Sequence, residues 1–235
     1  MRRAAVVGIA LLVPFVLAAN GVHALARESF VRWEYSRPHL PPDPKGMPTA
    51  ERERLALVGL DSILPWERDG MDRLREARLA DGTVAFDERE VQHMQDVRTI
   101  VWLLFALHAA GLVLFAGLAL ARRTRPLLRQ GLRLGAALTL GLAAFVGVVM
   151  VLNPVWFLTG FHTVFFEGSS WRFGDEDTLR RLFPDRFWSD VAVIVGAAST
   201  LQAAALLAAA SWPELRPRLA RLRADPARPA EEPES

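Results

Sequence analysis

Two histidines stand in sequence surroundings that could support acid–base chemistry. The first, His93, has an acidic residue three positions to either side, Glu90 and Asp96. If the segment is helical, both carboxylates flank the imidazole on one face, and a nearby carboxylate orients a histidine and raises its basicity, as a general base requires. The same spacing is common on solvated, charged helices. By itself it therefore favours a surface histidine over a catalytic one.

The second histidine, His162, lies in an aromatic stretch from Trp156 to Phe166. A lone titratable group among aromatic side chains is partly desolvated, which favours the neutral imidazole and suits a base that acts on a lipid. Perturbed groups cluster at functional sites, yet an interfacial histidine that faces lipid headgroups would have the same surroundings. On the pattern alone both interpretations stay open.

Metal-dependent and thiol chemistry find no support in the sequence. The chain has no cysteine and no His-Glu-x-x-His motif, which argues against a zinc site and excludes a thiolate nucleophile. His108 lies within an apolar stretch, where it is either functional or a neutral partner across a helix bundle, and His23 and His39 give no signal. We therefore expect no metal and no cofactor.

A membrane-embedded scaffold must position these residues. Of the 235 residues 51% are hydrophobic, and they cluster in four nearly uncharged stretches. The stretches are Ala4–Ala26, Thr99–Ala121, Leu134–Leu152 and Val191–Trp212. Each has about the 20 residues that cross a bilayer as a helix. We expect an all-α protein with four transmembrane helices. Small residues predict close helix packing, among them Gly131, Gly135, Gly141, Gly147 and Gly196.

The placement of arginines predicts the orientation in the membrane. Arginines precede the first stretch, fill the short link between the second and third, and follow the fourth. Basic residues in short flanking loops mark the cytoplasmic side. Both termini should therefore be cytoplasmic, with loops 27–98 and 153–189 outside. The basic clusters are topology signals that face anionic lipid, so we expect no nucleic-acid partner.

The first apolar stretch has two interpretations. Arg2 and Arg3, the apolar run and the Ala24-Leu25-Ala26 tripeptide also fit a secretory signal peptide with its cleavage site. The apolar run is, however, longer than the about 7–15 residues of a signal peptide's apolar region. We therefore expect a retained anchor, and cleavage would leave three spans with the loops on the same side.

We expect one membrane domain over residues 1–212 and a disordered cytoplasmic tail over residues 213–235, which is rich in Pro, Ala and Glu. The two outer loops should form a small, mostly helical extracytoplasmic subdomain. Its predicted helices are Ala50–Leu64, capped by Thr49 and ended by Pro65, then Met71–Leu79, Asp175–Leu182, and a helix that starts with a capping box of Asp87 and Glu90 and runs through Arg98 into the second span.

Three segments, in this order along the chain, carry a family resemblance. They are Asp87–Arg98 with the sequence DEREVQHMQDVR, Gly160–Phe166 with GFHTVFF, and Asp177–Trp188 with DTLRRLFPDRFW. Together with the four spans they resemble the lipoprotein intramolecular transacylase family of bacterial membrane proteins. The likeness extends from the first span through the fourth, and the motifs are long and unusual.

The resemblance implies an enzyme of the bacterial cell membrane. It would move the sn-2 acyl chain of a diacylglyceryl-modified cysteine onto the α-amine of that cysteine, leaving a lyso-form lipoprotein, with its site on the extracytoplasmic face. Its partners would be the lipoprotein and membrane lipid. The resemblance implies that His93 and His162 are the catalytic pair. Candidates for substrate binding or oxyanion stabilisation, by position only, are Asp96, Arg98, Trp171 and Arg172.

Two other functions remain open on the sequence. One is a histidine-dependent acyltransferase or hydrolase that acts on another membrane lipid. The other is a non-catalytic membrane sensor or accessory protein, in which His93 and His162 are structural.

Overall fold

The computed structural model describes residues 1–153, 156, 159–160, 163–164 and 171–224, with residues 213–224 described for the backbone only. Its helices are α1 (Arg2–Leu25), α2 (Glu28–Tyr35), α3 (Thr49–Ile63), α4 (Gly70–Glu76), α5 (Glu88–Leu120), α6 (Arg125–Leu152), α7 (Thr178–Leu182) and α8 (Asp185–Ala224). Within the described ranges, β-structure is limited to an isolated bridge between Arg78 and Val84. The all-α prediction is confirmed.

Four helices are long and apolar enough to cross a membrane, and they coincide with the four predicted spans. They are α1, α5, α6 and, as far as Trp212, α8. A helix satisfies its backbone N–H and C=O groups internally, as the hydrocarbon core demands. Helix α8 continues to Ala224, so the tail differs from the predicted disorder over residues 213–224. Its Leu, Arg, Ala and Glu residues are strong helix formers. Residues 225–235 lie outside the described part.

Helix α1 is the centre of the bundle and packs against α5, α6 and α8. Helix α6 approaches it closely because two glycines leave room. A Cβ atom on Gly135 would lie 2.5 Å from Cβ of Val13, and one on Gly131 would lie 2.5 Å from Cγ2 of Ile9. The predicted close packing is not found at every glycine of the spans. Among described atoms, nothing lies within 4 Å of the Cβ positions of Gly141, Gly147 and Gly196.

A chain of polar side chains joins three of the spanning helices. Nε2 of His108 on α5 lies 2.8 Å from Oδ1 of Asn20 on α1. The Asn20 amide donates to Oε1 of Gln202 on α8 at 2.7 Å, and Gln202 donates to the carbonyl of Ala198 at 3.1 Å. Polar groups inside a membrane need such partners. His108 is therefore a partner across the bundle, one of its two predicted roles.

The two loops of the sequence fold together into a helical subdomain at one end of the bundle. Helices α2, α3, α4 and α7 share one apolar core with the first turns of α5 and α8. Leu55, Leu74 and Leu182 are completely buried in it. The guanidinium of Arg52 donates to the carbonyl of Arg181 at 2.7 Å, so that a first-loop helix holds the second loop. The described parts of the two loops therefore pack around one apolar core.

Several element boundaries in this subdomain differ from the predictions. Thr49 is the first residue of α3, and Pro48 holds the N-cap position without a side-chain hydrogen bond, so the predicted Thr49 cap is wrong. Helix α4 ends at Glu76, three residues before the predicted end, and α7 begins at Thr178. Helix α2 was not predicted at all, because its eight residues directly follow the first span and have no N-cap side chain.

A cluster of charged side chains ties α2 to the start of α8. Nε2 of His39 lies 2.8 Å from Oδ2 of Asp190 and 3.5 Å from Oε1 of the buried Glu34. Arg37 lies 3.4 Å from Glu34, and Arg186 donates to Asp190 at 3.0 Å. The ligand atoms of Glu34, His39 and Asp190 lie within 4.8 Å of one another, but two guanidinium groups already supply the compensating positive charge. We interpret the cluster as an ion network.

Candidate active site

The position of His93 is fixed by the way α5 begins. The Asp87 side chain accepts a hydrogen bond from the backbone N–H of Glu90 at 2.8 Å, and the Glu90 side chain accepts one from the N–H of Asp87 at 2.9 Å. This reciprocal pair is the predicted capping box. It defines the first helical turn, and His93 follows on the second.

The imidazole of His93 packs against the segment of residues 171–177, which joins the aromatic stretch to α7. It is half-buried, and its Nδ1 atom is inaccessible to solvent. The edge of the ring meets Phe173, with ring centroids 5.1 Å apart at an angle of 70°. The guanidinium of Arg89, one turn before His93, lies 5.1 Å from the centroid of the same Phe173 ring. The histidine thus has an aromatic neighbour and a cation close to that neighbour.

Arg89 fastens this segment to α5. Its Nη2 donates to Oδ1 of Asp177 at 2.7 Å, and its Nη1 donates to the carbonyl of Arg172 at 3.3 Å. These two bonds span a stretch that includes Phe173. They therefore hold the aromatic ring over the histidine, although 88 positions separate Arg89 from Asp177.

Glu90 does not flank the imidazole, which corrects the prediction. Its side chain is turned into the subdomain core and is 3% exposed. One carboxylate oxygen belongs to the capping box, and the other accepts the backbone N–H of Leu179 in α7 at 2.7 Å. Burial raises the pKa of Glu90, and the two N–H groups oppose this shift. Glu90 is therefore a link between α5 and α7.

The other candidates fall into two groups. Asp96 accepts a hydrogen bond from Gln92 at 3.0 Å on the exposed side of α5. Trp171 and Arg172 lie on the segment next to His93, and the Arg172 guanidinium lies 5.2 Å from the Trp171 ring centroid. Arg98 is directed elsewhere, since its guanidinium donates to the carbonyls of Ser62 and Glu67 near the end of α3. The structure therefore does not bring Arg98 together with the residues around His93, and its role as an oxyanion candidate stays an untested prediction.

His162 lies outside the described residues, so its distance from His93 stays a prediction. Three residues of the site were missed in the sequence, namely Arg89, Phe173 and Asp177. Two of them lie inside the segments that carried the resemblance. The opposite charges of Arg89 and Asp177 could have indicated an ion pair. Their pairing can be recognised only when the fold brings the two segments together.

The arrangement can support proton transfer next to an apolar surface. A half-buried imidazole can take up and return a proton. Guanidinium groups such as those of Arg89 and Arg172 can stabilise negative charge that develops on an oxygen. No thiol is present in the chain, so chemistry at this site uses oxygen and nitrogen groups.

Comparison with known proteins identifies the family. The model of the family "lipoprotein intramolecular transacylase Lit" matches residues 6–188. An uncharacterized protein of Aquifex aeolicus is 32% identical over 202 residues, which cover 86% of this chain and 90% of the relative.

Solved structures share the fold. The Bacillus cereus membrane integral lipoprotein intramolecular transacylase Lit has a TM-score of 0.72 at 16% identity, covering 93% of this chain and 98% of that one. A variant of the same protein with one histidine replaced has a TM-score of 0.67 at 16% identity, covering 94% and 95%. Because the family model covers most of the sequence, this membrane protein belongs to the lipoprotein intramolecular transacylase family.

Proposed function

We propose that this protein is a lipoprotein intramolecular transacylase. It moves the sn-2 acyl chain of a diacylglyceryl-cysteine onto the α-amine of the same cysteine, which gives an N-acylated, lyso-form lipoprotein. The observation that carries the proposal is the family match over residues 6–188, which includes His93 and His162. The half-buried position of His93 against Phe173 supports it.

The chemistry requires little from the enzyme beyond acid–base groups and positioning. Aminolysis of an ester needs a base that takes the amine proton and an acid that protonates the departing alkoxide. We assign these roles to His93 and His162 as a pair. The amine and the ester belong to one substrate, so the site mainly has to fold that substrate into a reactive geometry. The cysteine of the reaction belongs to the lipoprotein, so a chain without cysteine can catalyse it.

We place the site on the extracytoplasmic face of the bacterial cell membrane, with both termini cytoplasmic. The arginine distribution supports this orientation. Cysteines introduced singly at Ala80 and Ser170 should react with a membrane-impermeant thiol reagent in intact cells. A cysteine at Arg129 serves as the opposite control, and labelling there without labelling at Ala80 would reverse the topology.

The reaction is tested by mass spectrometry of a lipoprotein N-terminal peptide. The protein is expressed in a host that lacks its own lipoprotein N-acyltransferase. The diacylglyceryl form should become the N-acyl lyso form with two acyl chains retained, because donor and acceptor share one molecule. Three acyl chains would instead show transfer from a phospholipid. Unchanged substrate in the presence of abundant protein would refute the function.

Two variants test the histidines. His93→Ala and His162→Ala should each lower conversion about 10²–10⁴-fold, the usual contribution of acid–base catalysis. Gln92→Ala is the matched control, because Gln92 is the exposed neighbour of His93 and hydrogen-bonds only Asp96 among the described residues. Wild-type conversion by His93→Ala would remove His93 from the mechanism.

The pairing of the two histidines has its own test. We expect their imidazoles within about 10 Å of each other, the reach of two groups that each contact one substrate at hydrogen-bond distance. The variant His93→Cys/His162→Cys should be cross-linked by a short bifunctional thiol reagent. The control Gln95→Cys/His162→Cys should not, since Gln95 lies on the other side of α5 at about 100° per residue. The reverse result would contradict a shared site.

A further inference from the structure

A groove on the back of α5 lies apart from the candidate active site. It has a volume of about 350 Å³ and is lined by Pro65, Gln95, Arg98, Thr99 and Trp102. At about 100° per residue, Gln95 and Trp102 lie close to 180° around the helix from His93. The groove is therefore on the opposite face of α5 from the histidine.

The turn between α3 and α4 borders this groove and reaches the level of the membrane span. Trp66 in this turn stacks on Phe105, with ring centroids 5.7 Å apart and the planes within 6° of parallel. Phe105 lies seven residues beyond Arg98, inside the apolar part of α5. The His23 ring near the end of α1 is 6.0 Å from Trp66. The turn thus lies against the apolar part of α5 near one end of the span, where Trp is favoured in membrane proteins.

Arg98 holds this turn and also lines the groove. Its Nη1 donates to the carbonyl of Ser62 at 2.7 Å, and its Nη2 donates to the carbonyl of Glu67 at 3.0 Å. Carbonyls near a helix end need such donors, above all where water is scarce. A guanidinium has five N–H donors, and these two bonds use two of them. Among the residues that the structure describes, donors of Arg98 therefore remain for another ligand.

The positive charge of Arg98 would be balanced by an anionic ligand. Within the described part of the chain, its hydrogen bonds go to two carbonyl oxygens, which carry no net charge. The side chain of Glu67 is directed to Arg73 instead, at 2.8 Å. Beside the guanidinium stands Trp102, which is 59% exposed, and in the bordering turn Trp66 is 52% exposed. A cation that shares a groove with one exposed tryptophan, with a second exposed tryptophan in the bordering turn, matches the charge and polarity of a phospholipid.

We propose that this groove is a binding site for an anionic membrane phospholipid. The free N–H groups of Arg98 bind the headgroup phosphate in a charge-assisted contact, and Trp66 and Trp102 contact the glycerol and upper acyl region. The phosphate requirement separates this ligand from a diacylglyceryl-cysteine, which has none. The site does not depend on the proposed reaction, because it lies on the other face of α5.

Native mass spectrometry of the full-length protein in a neutral detergent tests the site, with phosphatidylglycerol as the probe. Arg98→Lys keeps the charge but loses the planar fork, and Trp102→Ala removes an exposed ring that the bundle does not need. Each should weaken phosphatidylglycerol binding about tenfold: Arg98→Lys through loss of one charge-assisted hydrogen bond, and Trp102→Ala through loss of the apolar contact of its ring. Arg68→Lys and Trp212→Ala, both at exposed positions outside the groove, should bind like wild type.

Two further probes identify the source of the phosphate. Diacylglycerol, which has no phosphate, should bind at least tenfold more weakly than phosphatidylglycerol, and inorganic phosphate should not displace the lipid. Equal binding of diacylglycerol, or displacement by inorganic phosphate, would overturn the proposal. So would wild-type affinity in Trp102→Ala, which remains informative even if Arg98→Lys fails to fold.

Discussion

Replacement of Glu90 by alanine should loosen the second loop from the helix that carries His93. The Glu90 carboxylate is buried and bridges two backbone N–H groups, those of Asp87 at 2.9 Å and Leu179 at 2.7 Å. Alanine leaves both donors without this acceptor. The Leu179 N–H lies in the subdomain core, where water cannot readily take the place of the carboxylate.

The magnitude follows from these two bonds. A hydrogen bond to a charged group contributes about 1.5–3 kcal/mol, which gives an upper range of about 3–6 kcal/mol for the pair. Burial of the carboxylate works against it, as the raised pKa of Glu90 indicates. We therefore expect a loss of about 2–4 kcal/mol in the free energy of unfolding. For a chain of this size, this corresponds to a fall in Tm on the order of 10 °C.

Thermal unfolding of the purified protein in detergent measures this effect. Glu88→Ala is the matched control, since Glu88 is an exposed acid in the same first turn of α5. The control should unfold within about 2 °C of wild type, because surface substitutions usually change stability by less than about 0.5 kcal/mol. Hydrogen exchange at the Leu179 amide should accelerate in Glu90→Ala alone. Equal unfolding temperatures and exchange rates for the two variants would refute the role assigned to Glu90.

Two further predictions concern packing and pH. Gly135→Ala should cost about 1–3 kcal/mol by overpacking against α1, whereas Gly141→Ala, with open space around it, should unfold like wild type in the same thermal assay. The Arg181 hydrogen bonds hold the pKa of Asp43 below its ordinary value of 3.8. The Asp43–Arg181 pair therefore stabilises the fold fully at pH values above 3.8, and this contribution is lost as the pH falls through the lowered pKa. Melting curves between about pH 5 and pH 2 should therefore drop less steeply for Asp43→Asn than for wild type, and Asp72→Asn, at an exposed position, should follow wild type.

Much of the scaffold could be predicted because its causes are local in sequence. Each span is a run of apolar residues long enough to cross a bilayer, and all four spans occur where hydropathy places them. The start of α5 could be predicted for the same reason, since Asp87 and Glu90 form a capping box within one turn. Thr49 carried a similar but weaker signal, and the helix begins one residue earlier than that signal implied.

The contacts that build the site could not be predicted, because they join residues far apart in the chain. Glu90 stood three positions from His93, and this spacing allowed a contact between them. The decisive interaction is instead the N–H of Leu179, 89 positions away. Arg98 was a candidate for the reaction because of its position before the second span, but the carbonyls of Ser62 and Glu67 bind it. In both cases a buried backbone group determines where the side chain points.

The capping box fixes the residue at which α5 begins, and the start of the helix determines which face of α5 carries each functional residue. With the helix start fixed at Asp87, Arg89 and His93 lie one turn apart on the face toward residues 171–177. At about 100° per residue, Arg98 lies roughly 140° further round, where it meets the turn after α3. A shift of α5 by one residue would move His93 away from Phe173 and Arg98 away from its carbonyls together. The same short cap therefore positions the proposed catalytic face and the proposed lipid-binding face, and it holds them on opposite sides of one helix.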